Sequence, residues 1–109
     1  MAIIHIVHFA YSCDEATKQE IARRFLQMKT QCVSQSDSKP YILSLTGGKN
    51  NSPEGMNDGL EHTFVVKFAN NEDRAYYLDE DPVHQEFKKF ALSSGVSKGV
   101  VLDFDEDQF

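Results

Sequence analysis

The sequence predicts an α+β fold: a four-stranded antiparallel sheet with its helices on one face, in the order β-α-β-β-α-β. Three observations carry that expectation. Four short segments rich in β-branched and aromatic residues are bounded by turn formers. Two intervening stretches repeat apolar residues at helical spacing. The chain has 109 residues, the size of one domain over 1–109, and can bury a core without disulfide or metal.

Residues 3–9 read as the first strand, with Ile3, His5, Val7 and Phe9 on one face and Ile4, Ile6 and His8 on the other. Both faces are largely apolar, so both should be covered. Two capping boxes compete to start the next helix, Ser12 with Glu15 and Thr17 with Glu20. Ile21, Phe25, Met28 and Cys32 then recur at helical spacing, until the polar segment 34–40 ends the helix. Residues 41–45 form a second strand that Gly47 and Gly48 are expected to stop, followed by a turn-rich loop over 50–59.

Residues 63–68 form the third strand, which can begin at His62, with Phe64 and Val66 on the same side as His62. Asn70 or Asn71 caps a short helix whose first turn carries Glu72 and Asp73, matching the helix dipole. Pro82 breaks that helix, and Asp81 with Pro82 restarts one, as cap and first helical residue. Val83, Phe87, Phe90 and Ala91 give the restarted helix its apolar face. Residues 96–104 close with the fourth strand, and Asp105, Glu106 and Asp107 read as a solvated end. This is the ferredoxin-like pattern, which leaves one sheet face bare. Ile4 and Ile6 on that face predict that a second copy of the chain covers it, making a homodimer.

Composition narrows the function. Forty per cent hydrophobic and 26% charged is globular usage. Eleven Lys+Arg against 17 Asp+Glu, a net charge of −6, argues against nucleic acid, whose phosphates demand a basic footprint. The apolar segment 1–10 is too short to span a membrane and lacks a basic flank, so no anchor or signal is expected. Cys13 and Cys32 lie 19 residues apart across a helix, roughly 28 Å at about 1.5 Å per residue, too far for a disulfide. Unpaired thiols point to a cytoplasmic location. His5 and His8 fall on opposite faces of one strand and no cysteine has ligand spacing, so no metal is expected. Gly47 and Gly48 fit neither the dinucleotide nor the Walker pattern, so no cofactor is expected either.

One set of segments resembles a known family. These are His5-Ile6-Val7, the loop from Gly48 through Gly55 and the strand His62-Thr63-Phe64-Val65-Val66. With them go the stretch from Tyr77 through Asp81-Pro82-Val83-His84 to Phe87, and the closing Val100-Val101-Leu102-Asp103-Phe104. Over residues 4–104 they are similar in order and spacing to the stress-responsive dimeric α/β-barrel proteins. The resemblance implies a dimeric α+β barrel, two four-stranded sheets paired across a two-fold with helices outside. Its members include plant stress proteins without a known reaction and a polyketide cyclase that makes olivetolic acid.

In that cyclase a tyrosine and a histidine close a ring by an aldol-type step. By matching positions the resemblance implies Tyr77 and His84 as that pair, with His5 and His62 as further pocket histidines. The chain has one more residue between the tyrosine and the proline than relatives do, and Asp81 where they often carry histidine. Tyr76 is therefore a rival to Tyr77. Near a helix start His84 should be held neutral, as a general base beside a carbonyl must be. Tyr77 would then hold the developing oxygen by a hydrogen bond.

The substrate site expected around them comprises His5, Val7, Phe9, Phe25, His62, Phe64, Val66 and Phe87, taking a small oxo- or polyketide-like ligand. Two functions follow. One is a cofactor-free cyclase, lyase or isomerase. The other is a non-enzymatic stress-responsive dimer, with His84 and Tyr77 as packing residues and His5 and His62 as satisfied core histidines. A cofactor-free oxygenase of the same superfamily ranks behind both, the chain having no Trp. A pocket filled by Phe25, Phe64, Phe87 and Phe90 would favour the non-enzymatic reading.

Overall fold

The computed structural model describes residues 2–109. Its elements are β1 (Ile3–Tyr11), α1 (Glu15–Gln31), β2 (Ile42–Lys49), β3 (His62–Phe68), α2 (Asn71–Asp79), α3 (Pro82–Ser94) and β4 (Val96–Asp105). The strands form one antiparallel sheet in the order β2-β3-β1-β4, the ferredoxin-like arrangement. β1 is a central strand, with Ile6 opposite Val65 on one side and Leu102 on the other.

Strict alternation divides the sheet as expected. Ile3, His5, Val7 and Phe9 turn inward with His62, Phe64, Val66 and Phe68 of β3. Against them pack Ile21, Phe25 and Met28 of α1, Tyr77 of α2, and Phe87 and Ala91 of α3. The opposite face bears Ile4, Ile6, Val65, Val100, Leu102 and Phe104. Leu102 is 60% and Phe104 46% exposed there, an apolar surface with nothing over it in the single chain. No helix among the described residues is long and apolar enough to cross a membrane.

Local signals explain most boundaries, and two expectations are corrected. Neither predicted capping box starts α1. Asp14 does, its Oδ1 accepting from Thr17 N–H at 2.9 Å, with Glu15 at the positive end of the helix. Nor do Gly47 and Gly48 stop β2, which runs through both to Lys49. A Cβ at position 47 would lie 2.6 Å from Phe64 Cδ1 and 2.7 Å from the Thr63 carbonyl oxygen. That glycine marks a close approach of strand and ring, not a chain break.

The junction of α2 and α3 is built as the Asp81-Pro82 pair predicts. Asp81 is buried; its Oδ1 accepts from Val83 N–H at 2.9 Å and its Oδ2 from the Tyr41 hydroxyl at 2.6 Å. Asn70 caps α2 through Asp73 N–H. At the far end of α3, Gly95 adopts φ 133°, where a Cβ would meet Cys13 Cβ at 2.5 Å. Its carbonyl accepts from Ser12 N–H at 2.8 Å, which ties the end of α3 to the end of β1. His84 and Ala91 of α3 line one cavity with His5 and Phe9 of β1. Both cysteines are free, as expected.

Candidate functional site

α1 covers the β3 side of the sheet closely, but α3 leaves space over β1 and β4. Val101, on the inner face of β4, is 55% exposed for that reason. The result is a cavity of about 270 Å³. Its floor is His5, Val7 and Phe9 with Gly99 and Val101; its roof includes Tyr77, His84, Phe87 and Lys88. Phe25 closes the inner end, stacked on Phe64 at 4.0 Å between ring centroids and edge-on to Phe87.

The expected site residues separate into two groups. His84, Tyr77, His5, Val7, Phe9, Phe25 and Phe87 come together on this cavity. His62, Phe64 and Val66 do not line it. They have the right face, but β3 lies across β1 from β4, and the Phe25–Phe64 stack stands between. His62 instead borders a separate recess of about 210 Å³ with Gly48 and Lys49, where its Nδ1 shares a 2.7 Å hydrogen bond with the Tyr11 hydroxyl. Burial lowers its pKa there. A larger groove of about 600 Å³ runs over the outside of α1 and α3. Of its two arginines, Arg24 lies over Phe90 and Arg23 pairs with Glu20.

His84 is the best-defined group in the cavity. Its Nδ1 lies 2.6 Å from the Tyr77 carbonyl oxygen. A carbonyl only accepts, so Nδ1 carries the proton and Nε2 holds the lone pair. Nε2 has no partner among the described residues. Burial, chiefly, lowers the pKa to about 4, against the Tyr77 carbonyl, which raises it, and with help from Lys88 and His5. The neutrality expected from a helix start is thus produced by desolvation.

Tyr77 lies parallel to His84, ring centroids 3.8 Å apart and planes 13° from coincident. Its ring is fully covered and burial pushes its pKa up. The charges of Cys32 and Asp81 near its phenol push in the same direction. Tyr76 turns away and packs edge-on against Tyr41, so of the two tyrosines only Tyr77 borders the cavity.

A second histidine is held by groups that sequence reasoning missed. His5 Nδ1 donates to Asp103 Oδ1 at 2.8 Å, and Arg74 Nη1 donates to Asp103 Oδ2 at 3.1 Å. Oriented in this way, His5 lines the cavity and stands edge-to-face with Tyr77, ring centroids 5.9 Å apart. The available signal was a charged residue at an inward-facing position of β4, in line with Gly99 and Val101. Among the described residues, no group of three or more His, Cys, Asp or Glu side chains is placed to hold a metal ion.

Comparison with known proteins agrees with this architecture. Residues 3–106 match the sequence profile of the stress-responsive A/B barrel domain. Among solved structures, the hydroxynitrile lyase of Passiflora edulis superimposes with a TM-score of 0.77 at 22% identity, covering 99% of this chain and 96% of that one. A dimeric ferredoxin-like protein of unknown function from Jannaschia gives 0.74 at 16%, over 96% and 99%. The cofactor-independent oxygenase SnoaB of Streptomyces nogalater gives 0.70 at 8%, over 99% and 95%. No curated protein matches the sequence significantly. At such identities the structural likeness speaks for the fold alone. The profile, by contrast, spans nearly the whole chain, and on that ground the chain belongs to the stress-responsive A/B barrel family.

Proposed function

We propose that this chain is a cofactor-independent acid–base enzyme acting beside a carbonyl group, a cyclase or isomerase of a small oxo compound. The observation that carries the reading is the tautomer of His84. Its proton is committed to the Tyr77 carbonyl, and its free Nε2 sits on the wall of a largely apolar cavity. A neutral imidazole with an unengaged lone pair is a general base at neutral pH.

The C–H bond beside the substrate carbonyl breaks, the proton passes to His84 Nε2, and the electron pair moves onto the carbonyl oxygen as an enolate. The Tyr77 hydroxyl donates a hydrogen bond to that oxygen. His5, fixed by Asp103, orients the substrate from the floor. Reprotonation at another carbon gives isomerisation; attack of the enolate carbon on a second carbonyl of the same molecule closes a ring. The bare apolar face of the sheet supports a homodimer, and dimeric relatives of the same fold agree with it. The free thiols fit a reducing, cytoplasmic setting.

Solvent deuterium exchange tests the reading. 2-Nonanone and 4-phenyl-2-butanone are incubated with the protein in D2O and their α-positions followed by NMR. The protein should exchange at least one of them well above buffer. His84→Ala should reduce that rate about 10²- to 10⁴-fold, the usual worth of a general base, and Tyr77→Phe should reduce it less. Exchange no faster than buffer, or unaffected by His84→Ala, would leave the non-enzymatic dimer as the function.

A further inference from the structure

Among the residues lining the cavity, Lys88 is the one permanent charge. Its position is defined. Nζ donates to the Leu78 carbonyl at 3.2 Å, which holds the ammonium at the seam between α3 and the end of α2 and leaves two of its three N–H donors free. His84, Lys88 and Leu92 are four residues apart in turn and form one stripe of α3, rising about 6 Å per step. Along that stripe burial falls away, from buried His84 to Leu92, which is 70% exposed. Leu92 and the half-exposed Val101 frame the opening from opposite sides. The interior beyond Lys88 is apolar: Val7, Phe9 and Val96.

We propose that the site selects an amphipathic oxo-acid, its carboxylate paired with Lys88 at the mouth and its apolar tail laid along Val7, Phe9 and Val96. The proposal rests on the reading of His84 as the base and names the substrate class for it. A single ammonium with two free donors suits a monoanion. A phosphate ester would call for further cationic groups that the cavity wall does not carry. The carbonyls that hold Lys88 Nζ and His84 Nδ1 belong to the adjacent residues Leu78 and Tyr77, so a spacer of a few bonds joins the carboxylate to the reacting carbonyl. Lys88 also keeps protons off the base, since its charge is among the causes that lower the pKa of His84.

The probe is 4-oxononanoate, with its methyl ester as the neutral counterpart. Titration calorimetry should show the wild-type chain binding the acid about tenfold more tightly than the ester, with the gap narrowing at high salt. Lys88→Ala should bring the acid down to the ester, while Lys88→Arg should keep the preference. Lys89→Ala is the control, because Lys89 is exposed, pairs with Glu86 and lies off the cavity; it removes the same charge and should change nothing.

Equal binding of acid and ester, a preference that survives Lys88→Ala, or no binding of either at millimolar concentration would overturn the proposal. The base assignment is read separately, from deuterium entering carbons 3 and 5 of the probe. An acid preference that depends on Lys88 without exchange leaves the substrate class standing and removes the base. Exchange of the ester as fast as the acid, in wild type and in Lys88→Ala alike, leaves the base and removes the substrate class.

Discussion

Acidification should unfold this protein through His84. The folded chain holds the ring neutral down to about pH 4, whereas an exposed histidine in the unfolded chain takes a proton near 6.5. Above pH 6.5 neither state is protonated at this position and it contributes no pH dependence. Between 6.5 and about 4 the unfolded state carries the extra proton, so stability falls as pH falls, with a slope approaching 1.4 kcal/mol per pH unit. Below 4 both states are charged and the loss is complete, at about 3 kcal/mol, a large share of a typical domain's stability. His62, also lowered by burial, adds a loss of the same sign, so the comparison must isolate His84.

His84→Asn does so. Its side-chain amide can still donate to the Tyr77 carbonyl but cannot titrate. Urea unfolding followed by circular dichroism at pH 7.5, 5.5 and 4.0 should give wild-type stability falling about 3 kcal/mol further than the variant's across that range. Parallel pH dependences in the two proteins would refute the claim that burial keeps this imidazole neutral.

Three other outcomes are expected. Ile6→Asp places charges in the bare apolar face, so light scattering should find monomer where the wild type is dimer; a wild-type monomer at micromolar concentration would remove the homodimer. Gly47→Ala drives a Cβ against Phe64 and the Thr63 backbone, and a loss of about 1–3 kcal/mol in urea unfolding is expected; an unchanged midpoint would contradict the close approach. Asp81→Ala removes the α3 cap and strands the Tyr41 hydroxyl, so about 2–3 kcal/mol should be lost in the same assay; a change below 0.5 kcal/mol would contradict it.

The helix–strand order was legible because each element announces itself within a few residues. Alternation over 3–9 told which side chains of β1 face the helices, and Asp81-Pro82 marked the α2–α3 junction. What stayed hidden depends on which strands become neighbours. Parity put His62 on the correct face, yet only the register, Phe9 opposite His62, shows how far it stands from His84. Asp103 and Arg74 were invisible as partners of His5 because a hydrogen bond 98 residues long has no local signature. Gly47 was misread for a related reason: the ring that needs the space belongs to another strand. Asp14 was the one purely local miss, with three competing caps within a few positions.

The central place of β1 has a kinetic meaning. Its two neighbours reach it at different times, because the β1–β4 ladder joins residues about a hundred positions apart, His5 with Asp103 among them. Closing so wide a loop is the costliest search in the fold, which favours its being a late event. Until it happens the edge of β1 is open to any other strand, and the cavity lacks the wall made by Gly99 and Val101. A refolding experiment should therefore find helix content and the Phe25–Phe64 contact recovered before His5 gains its carboxylate. Competence for binding would then be the last property the chain acquires, and the first it loses when β4 frays.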